Sequence, residues 1–294
     1  MKSKLRKFFN YKFFIYLFFF VFSFCFIVPF ALLIGISFST EQDLINSGFK
    51  IIPENFTTFA YETLFEQPKD LIVAYIVTAI YAFVPTTFGI FFEACCGYAL
   101  SRDDFVYKKP IKIFLLITMF FNGGIVPSYI LRTQYLGLQD NIWVYISCLG
   151  VSAMEIFIFR TFFAQLPKEL SESAYLDGAS EIQILIKIIA PLSKAVIATY
   201  YLLGMLNKWN DYTTTLYYVT NPKLYTLQYF MQKILQEAEQ IKKLIMQMGL
   251  QLAEPPTETL KFAICVLATF PMLVLFPFFQ KFFSKGVMVG SVKG

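Results

Sequence analysis

The stretch PKELSESAYLDGASEIQILIKIIAP, residues 167–191, lies between two long apolar runs and yet reads as helix almost throughout. Pro167 suits a first helical turn, and Glu169 and Glu172 complement the positive end of a helix dipole. Nothing breaks that helix before Leu176. Asp177-Gly178 then ends it, because glycine supplies the positive φ that a helix C-terminus often adopts. Ser180 and Gln183 form an S-x-x-Q capping box that opens a second helix. Ile182, Leu185, Ile186 and Ile189 recur at i, i+3, i+4 and i+7, which predicts one buried face. Pro191 closes the segment. The pattern predicts a helix–turn–helix lying on a membrane surface.

Working outward, six stretches are apolar enough to cross a bilayer core of roughly 30 Å, for which about 20 helical residues suffice. They lie near 13–37, 71–100, 111–131, 142–164, 193–212 and 260–280. The fold class expected is therefore all-α: a polytopic membrane protein of six helices, with the 167–191 pair between spans four and five. The 294 residues are 57% hydrophobic and only 15% charged, with a mean hydropathy of +0.58, too apolar for a soluble domain of this size. Thirty-six Phe and eighteen Tyr agree, since Phe is cheap in hydrocarbon and Tyr favours the headgroup interface. The run 13–37 exceeds a secretory h-region and reads as the first span, not a leader.

Placing both termini in the cytoplasm puts sixteen of the 25 Lys and Arg on the cytoplasmic side, while the acidic segment 38–70 and the segment 213–259 fall outside. The organisation expected is a cytoplasmic N-terminus at 1–12, a six-helix domain at 13–280 and a cytoplasmic tail at 281–294. There is no histidine, which removes the commonest general base and metal ligand, and the five cysteines sit in apolar runs without metal spacing. No metal and no catalytic residue is expected. The basic residues form no dense stripe, so the +5 net charge does not imply nucleic acid.

Glu172-Ser173-Ala174, Asp177-Gly178-Ala179-Ser180 and Ile189-Ala190-Pro191 resemble the EAA–G–LP loop of ATP-binding-cassette importer permeases, in the form typical of the carbohydrate-uptake branch. Ser173 and Ala190 depart from that pattern in size but not in helical character. The likeness extends to Asn122-Gly123-Gly124-Ile125-Val126-Pro127, Leu136-Gly137-Leu138, Trp209-Asn210-Asp211 and Leu224-Tyr225-Thr226-Leu227-Gln228. The tail, Lys285-Gly286-Val287-Met288-Val289-Gly290-Ser291-Val292-Lys293-Gly294, is similar to that of oligosaccharide permeases related to the second maltose permease subunit.

The resemblance implies a bacterial inner-membrane permease for a sugar or oligosaccharide, in which Glu172, Ser173, Ala174, Asp177, Gly178, Ala179 and Pro191 couple to an ATPase. It also implies two ATP-binding subunits, a second and different permease chain, an extracytoplasmic sugar-binding protein and surrounding lipid. No cofactor is expected on this chain, because the phosphate-cradling G-x-x-x-x-G-K-[ST] motif is missing; ATP and Mg belong to the partners.

For the solute path, Asn122, Tyr129, Glu155, Trp209 and Asn210 are candidates, since amides, carboxylates and aromatic faces suit sugar hydroxyls and rings. Glu93 and Glu155 are the carboxylates that lipid does not tolerate. They are either paired or interfacial, with Arg160 near Glu155, or they face the transport path. Met231, Ile234, Leu235, Ala238, Ile241, Ile245 and Met248 form an apolar stripe on a second amphipathic helix, either packed on the spans or offered to the external binding protein. Two rivals remain open: a membrane-embedded enzyme using the two carboxylates, and an ion-coupled secondary carrier, whose hallmarks are repeats and interrupted helices.

Overall fold

The structure is a computed structural model that describes residues 2–66, 68–147, 150–248 and 256–290. Cys148 of the expected fourth span, residues 249–255 of the long 213–259 segment and Ser291–Gly294 of the tail lie outside the described residues. In chain order the helices are α1 (Lys2–Ser37), α2 (Glu41–Ser47), α3 (Phe59–Leu64), α4 (Pro68–Ser101), α5 (Lys108–Phe120), α6 (Ile125–Ile130), α7 (Trp143–Ile146) and α8 (Ala153–Phe163). There follow α9 (Lys168–Leu176), α10 (Glu181–Ile184), α11 (Ala190–Leu192), α12 (Lys194–Trp209), α13 (Thr213–Tyr218), α14 (Leu227–Met248) and α15 (Thr257–Gly290). Among the described residues the extended structure amounts to a single bridge, Ser39 to Phe56.

Among the described residues three helices are long and apolar enough to cross a membrane, within Tyr11–Ser37, Pro68–Ser101 and Thr257–Phe282, and five if each of two bent pairs counts as one span. Of the six stretches expected to cross the bilayer, the structure thus supports three to five crossings. Lys108–Phe120 and Ile125–Tyr135 meet at 109°. The break falls at Asn122-Gly123-Gly124, where Gly124 takes φ +85° and its N–H donates to Asn122 Oδ1 at 2.9 Å instead of to a helical carbonyl. The fourth stretch is interrupted as well. Gly150 has φ +69° and Ser152 restarts the chain as the N-cap of α8. Non-helical backbone at membrane depth is tolerated only where protein covers it or a cavity wets it.

The chain divides into two compact units. The first holds residues up to Pro68 with Met231–Phe270. In it, Gly35 lies so close to the 50–51 turn that a Cβ would sit 2.0 Å from the Ile51 carbonyl oxygen. Ser37 Oγ and the Tyr61 hydroxyl are 2.8 Å apart, and the Phe38 ring lies between those of Phe56 and Tyr61. The Glu41 carboxylate caps the start of α15, accepting from the N–H groups of Glu258 and Thr259 at 3.1 and 3.2 Å. On α14, Met231 and Ala238 of the expected stripe are buried, whereas Ile241 and Met248 are exposed.

The second unit holds Lys69–Phe230 and residues from Pro271 onward. Its core joins Ile90, Ala94 and Tyr98 of α4 to Phe159 and Phe163 of α8 and to Ile184, Leu185 and Ile189. Gly97 permits the α4–α8 crossing: a Cβ there would lie 2.7 Å from Phe159 Cβ and 3.0 Å from the Arg160 nitrogen. At the other end, the Tyr145 hydroxyl donates to the Leu224 carbonyl at 2.7 Å and lies 2.8 Å from Thr215 Oγ1. Thr78 Oγ1 accepts from the Leu227 N–H at 2.7 Å, which anchors the beginning of α14.

Candidate functional site

The hairpin of α9 and α10 forms as its residues dictate. Asp177 caps α9, Gly178 takes φ +80°, and Ser180 and Gln183 make both bonds of the capping box. Its buried face differs from the expected one. Leu185–Ile189 is a turn of π-helix, and the extra residue per turn rotates the register. Ile184, Leu185 and Ile189 go inward, while Ile182 and Ile186 are 66% and 54% exposed. With Tyr175 at 61% and Leu176 at 87%, they leave the hairpin an uncovered apolar surface. Glu172, Ser173, Asp177 and Gly178 are exposed on the same element, and Ala174 and Ala179 are half-buried against the core. Pro191 sits in the short α11, from which the chain turns through 87° into α12.

Charged residues at the end of α4 hold the hairpin from both sides. Asp103 is ion-paired to Lys168 at the start of α9 and to Lys108 at 3.4 Å. Those two ammonium groups, Lys168 foremost, hold the Asp103 carboxyl below its ordinary range, and Asp103 raises Lys168 in return. Glu181 at the start of α10 accepts from the Tyr98 hydroxyl at 2.6 Å and lies 3.5 Å from the Arg102 guanidinium. A cavity of about 410 Å³ opens beside this clamp, lined by Arg102, Asp103, Lys168, Ser171 and Glu172.

A second cavity, of about 550 Å³, lies among α4, the break before α8 and the end of α12. Glu93, Glu155, Asp211, Lys208 and Asn210 line it, together with Gly150 of the break. Glu93 is 1% exposed, and its Oε1 accepts from the Ser152 N–H at 2.6 Å, so one carboxylate oxygen completes the N-terminus of α8. Beyond that bond its carboxyl group meets the Glu155 side chain, with which it shares a hydrogen bond. Glu155 is its immediate acidic neighbour. The ion pair that the sequence suggested between Glu155 and Arg160 does not form, and Arg160 Nε is buried without a partner. Thr86 Oγ1 also faces this cavity, buried and unpartnered. Asp211 is well supplied: the Tyr81 hydroxyl donates to it at 2.7 Å and the Thr213 N–H at 2.8 Å.

The expected solute-path residues therefore separate. Glu155 and Asn210 line this cavity. Trp209 is 3% exposed and packs near the Tyr75 ring at 6.4 Å. Tyr129 stacks on Tyr218 at 5.7 Å, with Arg132 over the same ring, and Asn122 is exposed and committed to the turn at Gly124. Sequence reasoning did not single out Asp211, Lys208 or Thr86 for the cavity; the two charges at the end of an apolar run were the available signal.

This geometry brings two carboxylates together, as the enzyme reading required, and interrupts helices, as the carrier reading required. Likeness to known proteins decides against both. Over residues 4–289 the chain matches the family described as "Binding-protein-dependent transport system inner membrane component". It is 34% identical to the polygalacturonan/rhamnogalacturonan transport system permease protein YtcP of Bacillus subtilis (strain 168), over 91% of this chain and 93% of the relative. It is 36% identical to protein LplC of the same organism, over 91% and 90%. Among solved structures it resembles a chain of a bacterial ABC transporter involved in the import of the acidic polysaccharide alginate, with a TM-score of 0.76 and 25% identity over 91% of this chain and 94% of that one. The chain is thus a transporter subunit and not an enzyme: it belongs to the family of inner-membrane components of binding-protein-dependent transport systems.

Proposed function

We propose that this chain is one of two different permease subunits of an ATP-driven importer that carries a sugar or oligosaccharide into a bacterial cell. Two ATP-binding subunits power it, and an extracytoplasmic sugar-binding protein delivers the solute. The names of its relatives support the cargo class: polygalacturonan and rhamnogalacturonan for one, arabinooligosaccharides for another at 27% identity. In this reading the 167–191 hairpin faces the cytoplasm with both termini, six membrane crossings include the two interrupted ones, and residues 281–294 form the tail.

The observation that carries the reading is the uncovered apolar surface of Tyr175, Leu176, Ile182 and Ile186 on a hairpin clamped at both ends to α4. A groove on the ATPase covers that surface, and closure of the ATPase dimer pulls the hairpin and, through Phe159, Phe163 and Tyr98, the packed spans. To shift the population decisively the hairpin must prefer the closed ATPase by several kcal/mol. Gly178→Asp and Glu172→Lys change the exposed turn and the exposed flank without entering the core. Both variants are expected to insert, to retain the second permease and to lose ATP-driven uptake. Wild-type uptake by either, with the ATPase still bound, refutes the coupling role.

A further inference from the structure

The seam between α5 and α8 carries positive charge that the protein does not neutralise. Lys112 of α5 and Arg160 of α8 lie within two of the apolar stretches, and the two helices pack on each other. The cationic neighbours of Lys112 are Arg160 first and Lys108 second. Lys108 has Asp103 at 3.4 Å, whereas neither Lys112 nor Arg160 is ion-paired among the described residues. Arg160 Nε is buried without a partner and the side chain as a whole is half-buried, so the guanidinium is held at the seam with no acceptor to hold it. The first turn of α5 adds an exposed cation, Lys109, and contains no acid. Like charges at the edge of the hydrocarbon repel one another where screening is poor, and each is costly there until an anion joins it.

Beyond these charges α5 turns an apolar face outward. Ile113, Leu116, Ile117 and Phe120 follow Lys109 at i+4, i+7, i+8 and i+11, so they share its side of the helix, and all four are exposed. No residue of α5 is buried. A molecule that suits both features is anionic at one end and apolar along the rest. We propose that the α5–α8 seam binds an anionic phospholipid of the leaflet on the hairpin's side, with its phosphate at Lys112 and Arg160 and an acyl chain along Ile113, Leu116, Ile117 and Phe120. Guanidinium and ammonium groups together are the side chains that recognise a phosphate headgroup. A zwitterionic headgroup brings its own ammonium and offsets none of the excess. The lipid lies beside the clamp of the hairpin, because Asp103 is ion-paired to both Lys108 of α5 and Lys168 of α9. The inference does not depend on which sugar is carried.

The test titrates the full chain, purified with its partner subunits, with phosphatidylglycerol and with phosphatidylcholine of the same acyl chains, and native mass spectrometry counts the lipids retained. The first phosphatidylglycerol is expected to bind about tenfold or more tighter than the first phosphatidylcholine. Lys112→Gln and Arg160→Gln should each weaken that first phosphatidylglycerol by about fivefold and leave phosphatidylcholine unchanged. Lys112 is half-buried on a helix with no buried residue, so its variant keeps the test alive if Arg160→Gln does not fold. Lys194→Gln removes the same charge from an exposed position at the start of α12 and should have no effect. Equal binding of the two lipids by the wild type overturns the inference, as it would if the second permease covered the seam. A Lys194→Gln loss as large as that of Lys112→Gln also overturns it, since a diffuse field and not a site would then be at work. Inorganic phosphate and glycerophosphoglycerol, the headgroup without its chains, are expected not to displace the lipid at equal concentration; displacement by either makes a soluble phosphate the ligand and rejects the lipid.

Discussion

Adding one methyl group at Gly97 should loosen the crossing on which the acidic cavity depends. A Cβ at that position would lie 2.7 Å from Phe159 Cβ, whereas carbon atoms settle at about 3.5–4.0 Å, so α4 and α8 must part by roughly 1 Å. The Arg160 nitrogen at 3.0 Å and the Ile156 carbonyl at 3.2 Å are backbone and do not swing aside. Overpacking of this kind costs about 1–3 kcal/mol. Two other glycines supply the scale. At Gly204 the nearest atom is the Thr86 methyl at 3.2 Å, and at Gly123 it is Pro127 Cβ at 3.9 Å. Unfolding of the purified subunit in mixed micelles, titrated with sodium dodecyl sulfate, should rank the alanine variants Gly97 far below Gly204 and Gly204 slightly below Gly123. A Gly97→Ala protein as stable as the wild type, or a Gly123→Ala protein as weak as Gly97→Ala, would refute the reasoning.

Two further outcomes follow from the polar contacts. The Asp103–Lys168 pair contributes above the ordinary carboxyl value of 3.8 and loses that contribution as pH falls through the lowered folded value; its lysine side is lost only as pH rises above 10.5 and through its raised value. The difference in melting temperature between wild type and Asp103→Asn should therefore be constant from about pH 5 to pH 9 and shrink below about pH 3; a difference that changes steadily across neutral pH would contradict the pairing. Tyr145→Phe removes a hydroxyl from a fully buried site and leaves the Leu224 carbonyl without its 2.7 Å donor, a loss of about 1–2 kcal/mol in the same titration, whereas Thr215 keeps its 2.7 Å bond to Thr226.

What the sequence made legible was local. The capping box of Ser180 and Gln183 and the left-handed Gly178 are decided within three or four residues, and both form as read. The membrane character of α1, α4 and α15 is legible for a similar reason, because long uninterrupted apolar runs have one solvent open to them. Periodicity failed where one residue was added: the π turn at 185–189 moved Ile182 and Ile186 outward. The breaks in the third and fourth stretches were written in Asn122-Gly123-Gly124 and Gly150, but the surrounding hydrophobicity concealed them. The approach of Glu93 to Glu155 was not legible at all, since it is made by packing between residues far apart in the chain.

Glu93 props the restarted helix with one oxygen of its buried carboxyl group, and the group has Glu155 as its acidic neighbour. Replacing Glu93 therefore removes the bond that completes the start of α8, whatever else the change does to the cavity. Glu155 has no such duty among the described bonds to the backbone. The cavity wall thus sets a side chain tied to the backbone beside one that can change without undoing the helix start.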